Sequence, residues 1–240
     1  HLRSLFITAG KVLENRELEN IFYPDDIGKV PVKLYKVYSD DELKRLNAVI
    51  VEGEEQVARA LFLHQLLGTR ISDTLTLRQN AVREGENGSF FIRIQQVKTG
   101  KSYEKAINTD VKALFEKACE YTNERYGIRD YVFVNDKQPD IPMQYGRIQY
   151  QLMAMIQKND LRDDKGELFG VGTHIWRHCY GKRLTEMHID DATVAKLLGH
   201  ANTSSLKYYR RIGNQMLADE TREMRENMDS ILKGIINEWV

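Results

Sequence analysis

The pattern of apolar and polar positions changes period several times along the chain, and each change marks an element. Residues 2–18 read as one helix, and residues 23–38, which hold Pro24, Gly28 and Pro31, break that pattern and form the best linker. A second region opens at Ser39, where Glu42 three positions on completes a capping box and introduces a helix to about Val51. Residues 55–67 form a helix strongly apolar on one side, with Gly68 placed to end it. Phe90, Ile92, Ile94 and Val97 then indicate a strand, Thr99-Gly100 a turn, and residues 103–107 the returning strand. Helical spacing resumes at about 109–126, 144–158 and 173–187, with shorter helices near 192–198 and 204–211 and a polar loop at 162–167. A last helix, about 214–239, aligns Leu217, Met224, Met228, Ile231, Ile235 and Trp239 in one apolar stripe, suited either to folding onto its own domain or to docking on a neighbouring subunit. The expected class is mainly α with a small antiparallel β-hairpin, an α+β fold.

Composition narrows the function classes only a little. With 240 residues and 42% hydrophobic content the chain can fill a core without staples. No apolar run approaches the ~18 residues of a membrane span, and no signal-peptide pattern opens the chain, so a cytoplasmic protein is the default. Cys119 and Cys179 fit no metal spacing and are expected to be reduced, structural thiols. The chain starts at His1, without an initiator Met and inside a helix, and is expected to be a fragment whose missing part lies upstream. A net charge of zero counts against nucleic-acid binding, since duplex binders gain affinity by releasing counterions. The distribution is less neutral. Acid residues gather in 40–55 and in the tail, and Lys and Arg around 93–105 and 177–211, so one basic face is expected against a plain solvated scatter of charge.

The candidate chemistry is spread over the second region. His174 and Arg177 stand three apart on one helix face, behind a plausible N-cap at Thr173; such a pair is also an ordinary surface pair. Leu197-Leu198-Gly199-His200 follows, then Tyr209 nine residues beyond His200, with Tyr208 beside it. Much earlier Arg70 sits just past a helix end, where an arginine can simply cap the preceding carbonyls. Lys98 stands at the hairpin tip, with Lys101 close by, and a turn lysine can serve solubility alone. No metal-spaced Cys/His set or phosphate-binding glycine loop is found, so no cofactor is expected.

In this order, these residues resemble the tyrosine recombinase family, which shares its chemistry with type IB topoisomerases, over about residues 39–212. The family pattern is G-x-R-x-x-E/D, a hairpin lysine, H-x-x-R, L-G-H and a tyrosine about nine residues on, and Arg70, Lys98, His174, Arg177, His200 and Tyr209 fill all six places. Asp73 matches the acid that supports the first arginine. The resemblance implies that Arg70, Arg177 and His200 clamp the phosphate oxygens, that His174 takes the proton of Tyr209, and that Lys98 protonates the leaving 5′ oxygen. It implies a 3′-phosphotyrosine intermediate, double-stranded DNA as substrate, a tetramer on two DNA sites with the C-terminal helix in trans, and an accessory excision factor. By the same comparison residues 1–22 end a truncated N-terminal core-binding domain, 23–38 are the linker and 39–240 the catalytic domain, with the docking helix at 214–239. Integration or transposition of a mobile element is the favoured role. A topoisomerase-like relaxing enzyme, a non-catalytic DNA-binding relative and a helical interaction protein are the alternatives.

Overall fold

The structure is a computed structural model that describes residues 2–22, 36–200 and 203, in two units divided between Leu34 and Tyr35. Most of the linker expected at 23–38, and the helices expected at 204–211 and 214–239, lie outside the described residues.

In the first unit the single helix expected over 2–18 is two. Helix α1 (Leu2–Val12) ends where Glu14 takes φ 51° and the Asn15 amide closes back on Gly10 O at 2.8 Å, a left-handed helix stop. The Asn15 side chain then accepts from the Glu17 and Leu18 amides and starts α2 (Arg16–Glu19). Helical periodicity was continuous across this point because the break lies in the backbone, while the apolar spacing runs on. A Cβ at Gly10 would collide with Glu19, so glycine permits the return, and Phe6 meets Phe22 edge-on at 5.4 Å.

The second unit begins with α3 (Asp40–Val51), opened by the expected capping box: Ser39 Oγ accepts from the Glu42 amide, and the Glu42 carboxylate accepts from the Ser39 amide. Helix α4 (Glu55–Leu67) follows, with Gly68 at φ 60° as its left-handed stop. It is buried on more than the one side expected, since Val57, Ala60, Leu61, Leu63 and His64 are all closed to solvent and α3, α5 (Ile71–Leu75), α6 (Thr109–Tyr126) and α8 (His174–Glu186) pack on it. Helix α7 (Tyr145–Lys158) contributes Ile148, Leu152 and Ile156 to the same core, α6 contributes Phe115 and Ala118, and α8 contributes Trp176. Helix α9 (Asp191–Leu197) is capped by Asp190 and closes a small second cluster, Val194, Ala195 and Leu198, against Tyr180 and Leu184 of α8.

The hairpin is part of a three-stranded antiparallel sheet, β1 (Val82–Glu84), β2 (Phe90–Gln95) and β3 (Ser102–Ile107), in sequence order. Strand β1 has only three residues, too few for an alternating signal. Ile92 and Ile94 face the core, and the register pairs them with Lys105 and Tyr103, which therefore face inward too. The same parity carries Gln96 inward, at 4% exposure, and turns Val97 out, at 57%. Val97 therefore does not belong to the strand's apolar face, because a period of two from Ile94 leads to Gln96.

Replacing Ser39 with Ala removes the cap that starts α3 and should lower unfolding free energy by about 1 kcal/mol in denaturant titrations. An unchanged midpoint would show that the Glu42 half of the box suffices.

Candidate active site

The site is assembled at the C-terminal end of α4. The last carbonyls of a helix have no partner within it, and here two are met by cations from far along the chain. Lys105 Nζ donates to Leu67 O, and Arg177 Nη1 donates to Gly68 O at 2.9 Å. Arg70 is thus relieved of the capping role open to it; it precedes α5 in extended backbone, and its guanidinium lies 3.6 Å from the fully buried Asp73 carboxylate. A buried polar chain holds this turn to α8. Thr69 and Thr74 hydroxyls share a hydrogen bond of 2.6 Å, Thr74 reaches His64 Nδ1 at 3.3 Å, and His64 Nε2 meets Thr173 O at 2.9 Å. Since a carbonyl only accepts, His64 carries its proton on Nε2. Thr173 does precede α8 but does not cap it with its side chain; it contributes its carbonyl to His64 instead.

Arg177, 1% exposed, joins three segments. Besides Gly68 O, its guanidinium donates to Leu198 O at 2.5 Å and to His200 Nε2 at 2.8 Å. A guanidinium has no acceptor, so His200 must receive that hydrogen bond on Nε2 and hold its own proton on Nδ1. Burial, Arg177 and Arg70 push the His200 pKa down to about 4. His174, one turn before Arg177 on α8, keeps one side of its ring open to solvent; the enclosure of the other side, then Arg177 and Arg70, lower its pKa as well. His178 stands edge-on to His174 at 4.5 Å, with its pKa held at about 4 by burial and then by His174 and Arg177.

The hairpin loop is pinned from two sides. Asp73 Oδ1 accepts from the Val97 amide at 3.0 Å, linking the arginine turn to the residue before Lys98. Gln96 Nε2 donates to Gly199 O at 2.5 Å, and Gln96 Oε1 accepts from Thr99 Oγ1 at 2.5 Å. Gly199 has φ 63°, and a Cβ there would collide with Gln96 and the Tyr103 ring, so glycine is required both for its backbone and for the close approach. The result is a cavity of about 660 Å³ whose wall includes Arg70, Lys98, Lys101, Lys196 and His200. Glu104, also in that wall, is already paired with Arg83 at 2.5 Å and Arg93 at 3.4 Å. Such a wall attracts anions, and its donors suit phosphate oxygens.

Of the six residues expected to act together, Arg70, Lys98 and His200 line this cavity, Arg177 lies behind it in contact with His200, and His174 stands close enough to feel both arginines. Tyr209, and Tyr208 beside it, lie outside the described residues. Sequence reasoning passed over Gln96, Lys105 and Lys196. Strand parity, which places 92, 94 and 96 on one face and 103 and 105 opposite them, could have marked the first two as polar groups at core positions. Lys105 is 3% exposed, lies over the Tyr180 ring at 4.3 Å and donates to its hydroxyl at 3.1 Å; burial and then Arg177 push its pKa down to about 7.

An arginine turn, a hairpin lysine, an H-x-x-R helix and an L-G-H helix end around one basic cavity define a tyrosine recombinase catalytic fold. Residues 36–216 match the phage integrase family, and the chain belongs to it. Transposase B from transposon Tn554 of Staphylococcus aureus is 24% identical over 208 residues, 87% of this chain and 33% of that protein. The tyrosine recombinase XerA of Thermococcus kodakarensis is 25% identical over 185 residues, 77% of this chain and 61% of that protein. The chain thus spans about a third of the transposase and under two thirds of the XerA protein. Among solved structures, the XerH site-specific recombinase bound to palindromic difH substrate superposes with a TM-score of 0.64 at 21% identity, covering 81% of this chain and 54% of that one.

The buried histidines set an acid limit on stability. His64 has its pKa lowered to about 4, burial being the main cause, against an ordinary 6.5. Its neutral form is the folded form, so its contribution is complete above pH 6.5. That contribution falls between 6.5 and about 4, as the unfolded chain takes up a proton that the folded one refuses, and it stops changing below 4. The slope from this one group is at most about 1.4 kcal/mol per pH unit. Urea midpoints measured from pH 7.5 to 4 should fall in that window, and His64→Gln, which keeps a donor for Thr173 O, should flatten the fall; an equally steep fall in the variant would remove His64 as its source.

Proposed function

We propose that the chain cuts and rejoins duplex DNA by attack of Tyr209 on a backbone phosphate, without metal or ATP. The observation that carries this reading is the convergence of Arg70, Lys98 and His200 on one basic cavity, with Arg177 bonded to His200 behind it, in a member of the phage integrase family. A phosphodiester attacked by an oxygen nucleophile passes through five-coordinate phosphorus, and its non-bridging oxygens gain charge. Guanidinium forks meet that charge bidentately, and preorganised donors of this kind lower such barriers most. Arg70 is assigned to those oxygens from the cavity wall, His200 adds a donor through Nδ1, and Arg177, buried behind them, holds His200 in place and adds its positive field.

Tyrosine, with a free pKa of about 10, needs a base near neutral pH. His174 suits that role: burial and the two arginines keep its pKa below the ordinary value, so the ring is unprotonated and ready to take the phenol proton. The phosphorus–O5′ bond then breaks, and O5′ takes a proton from the Lys98 ammonium. The product is a 3′-phosphotyrosine and a free 5′ hydroxyl. The new ester keeps the energy of the old one, so a 5′ hydroxyl from a second strand can reverse the step and exchange partners.

One feature supports a mobile-element integrase or transposase in particular: the matched relatives include a transposon's transposase. The XerH neighbour, bound to its difH substrate, supports duplex DNA as the partner. On this reading residues 1–22 close a core-binding domain, 23–38 link it to the catalytic domain, and the stripe from Leu217 to Trp239 docks on a neighbouring subunit of a tetramer. An excision factor would set the direction of reaction, and the cytoplasm would be the compartment.

Incubated with nicked duplex carrying the ends of its element, the chain should form a covalent adduct on denaturing gels with EDTA present. The adduct should be lost in Tyr209→Phe and kept in Tyr208→Phe, and Arg70→Ala should slow it by on the order of 10²-fold. DNA that is retained in a gel shift yet never becomes covalently attached would turn the reading to a non-catalytic DNA-binding relative. Truncation after Ile212 should abolish assembly of the paired complex on DNA; intact assembly would remove the docking role from the tail.

A further inference from the structure

We propose that Gln96 is a positioning residue that holds the Lys98 loop in register with the His200 helix end, so that the leaving oxygen is protonated at the place where the phosphate is clamped. The inference rests on the reading of Lys98 as the acid and adds a residue that none of the family's six places contains.

The loop between β2 and β3 runs from Gln96 to Lys101, and Gln96, its first residue, fastens it at several points. Its amide donates to Lys101 O at 2.8 Å, and its carbonyl accepts from the Gly100 amide at 2.9 Å, which closes the loop at its base. Its side-chain oxygen accepts from Thr99 Oγ1, beside Lys98, at 2.5 Å. Its side-chain nitrogen leaves the hairpin altogether and donates to Gly199 O, the carbonyl directly before His200, at 2.5 Å. One buried amide thus joins the lysine-bearing loop to the histidine-bearing turn across 103 residues of sequence. Other side chains do not reproduce this. Glutamate would set an oxygen against the Gly199 carbonyl, leucine would bond neither partner, and any side chain at Gly199 would displace the Gln96 amide itself. Lys98 is exposed at the loop tip, so its place in the cavity wall depends on how the loop is held.

Misplacing a catalytic group by about 1 Å can cost on the order of 10²-fold in rate. A lost acid can be told from a damaged clamp by the leaving group. When the phosphorus–O5′ bond breaks, its electron pair stays on oxygen and a proton must come from Lys98 Nζ. With sulfur at that bridging position the pair stays on a thiolate, which is stable near neutral pH and needs no acid. Single-turnover adduct formation should therefore be compared on nicked duplexes with oxygen or sulfur at the 5′ bridging position, for the unaltered chain, Lys98→Ala, Gln96→Leu, Thr99→Val and Arg70→Ala, with thermal melts as a check on folding.

The expected result is that Lys98→Ala and Gln96→Leu are both slowed on the order of 10²-fold with oxygen and both recover to within a few-fold of the unaltered chain with sulfur. Thr99→Val, which touches only the exposed half of the link, should show a smaller defect with the same recovery, while Arg70→Ala stays slow on both. Gln96→Leu remaining slow on sulfur while Lys98→Ala recovers, or Gln96→Leu reacting normally on oxygen, would overturn the inference and leave the acid assignment standing. If Gln96→Leu fails to melt cooperatively, Thr99→Val decides by the same comparison. Lys98→Ala remaining slow on sulfur would overturn the acid assignment and the inference with it.

Discussion

The buried guanidinium of Arg177 is the constraint on which the rest of the site depends. A cation at 1% exposure is tolerable only where donors meet acceptors closely, and its bonds reach the end of α4 at Gly68, the end of α9 at Leu198, and His200. Hydrogen bonds from a charged donor contribute about 1.5–3 kcal/mol each. Three segments, one of them 109 positions before Arg177, are thereby fixed relative to one another. Burial and then the same charge lower the pKa values of His200 and His174, so the group that organises the site adds to the bias toward neutral rings around it.

From Arg177 the contacts run in a closed circuit. Gly68 leads along the chain to Arg70, Arg70 faces Asp73, Asp73 accepts from the Val97 amide, and the Lys98 loop returns through Gln96 to Gly199 and His200, which meets Arg177 again. Apart from the chain itself between Gly68 and Arg70 and the 3.6 Å ion pair of Arg70 with Asp73, the links are hydrogen bonds between elements whose apolar faces are already committed to the core or to the cluster under α9. Helices and sheet can be packed in that way without placing a lysine or a histidine to within an ångström, whereas hydrogen bonds with directional donors can. Apolar packing therefore supplies stability, and the polar circuit supplies geometry.

Charge shows the same division of labour. Thirty-five acidic and thirty-five basic side chains cancel over the chain, yet the cavity wall brings Arg70, Lys98, Lys101 and Lys196 together and includes a Glu104 already engaged by two arginines. The acids that balance these cations lie partly in α3, whose first turn holds Asp40, Asp41 and Glu42 at the positive end of the helix dipole. Neutrality overall is thus compatible with a strongly basic site, because the field at a phosphate is set by the nearest charges and falls off over a Debye length of about 8–10 Å.

The sequence by itself determined most of the elements and singled out Arg70, Lys98 and His200, which the fold brings to one cavity wall. Capping chemistry at Ser39, the glycine stop at Gly68, the alternation through Ile92 and Ile94 and the ordered motifs from Arg70 to His200 are local, and local rules read them. It erred or was silent where a backbone event or a long-range partner decides. The break at Glu14 leaves the apolar spacing untouched, β1 is too short to alternate, and Val97 was assigned to the strand face that Gln96 occupies. Only the tertiary structure decided that Lys105 and Arg177 close the end of α4 and that Gln96 joins the hairpin to Gly199. The physical reason is that a side-chain hydrogen bond is specific in space and not in sequence: residue type says which donors exist, and the packed fold says which acceptor each one meets.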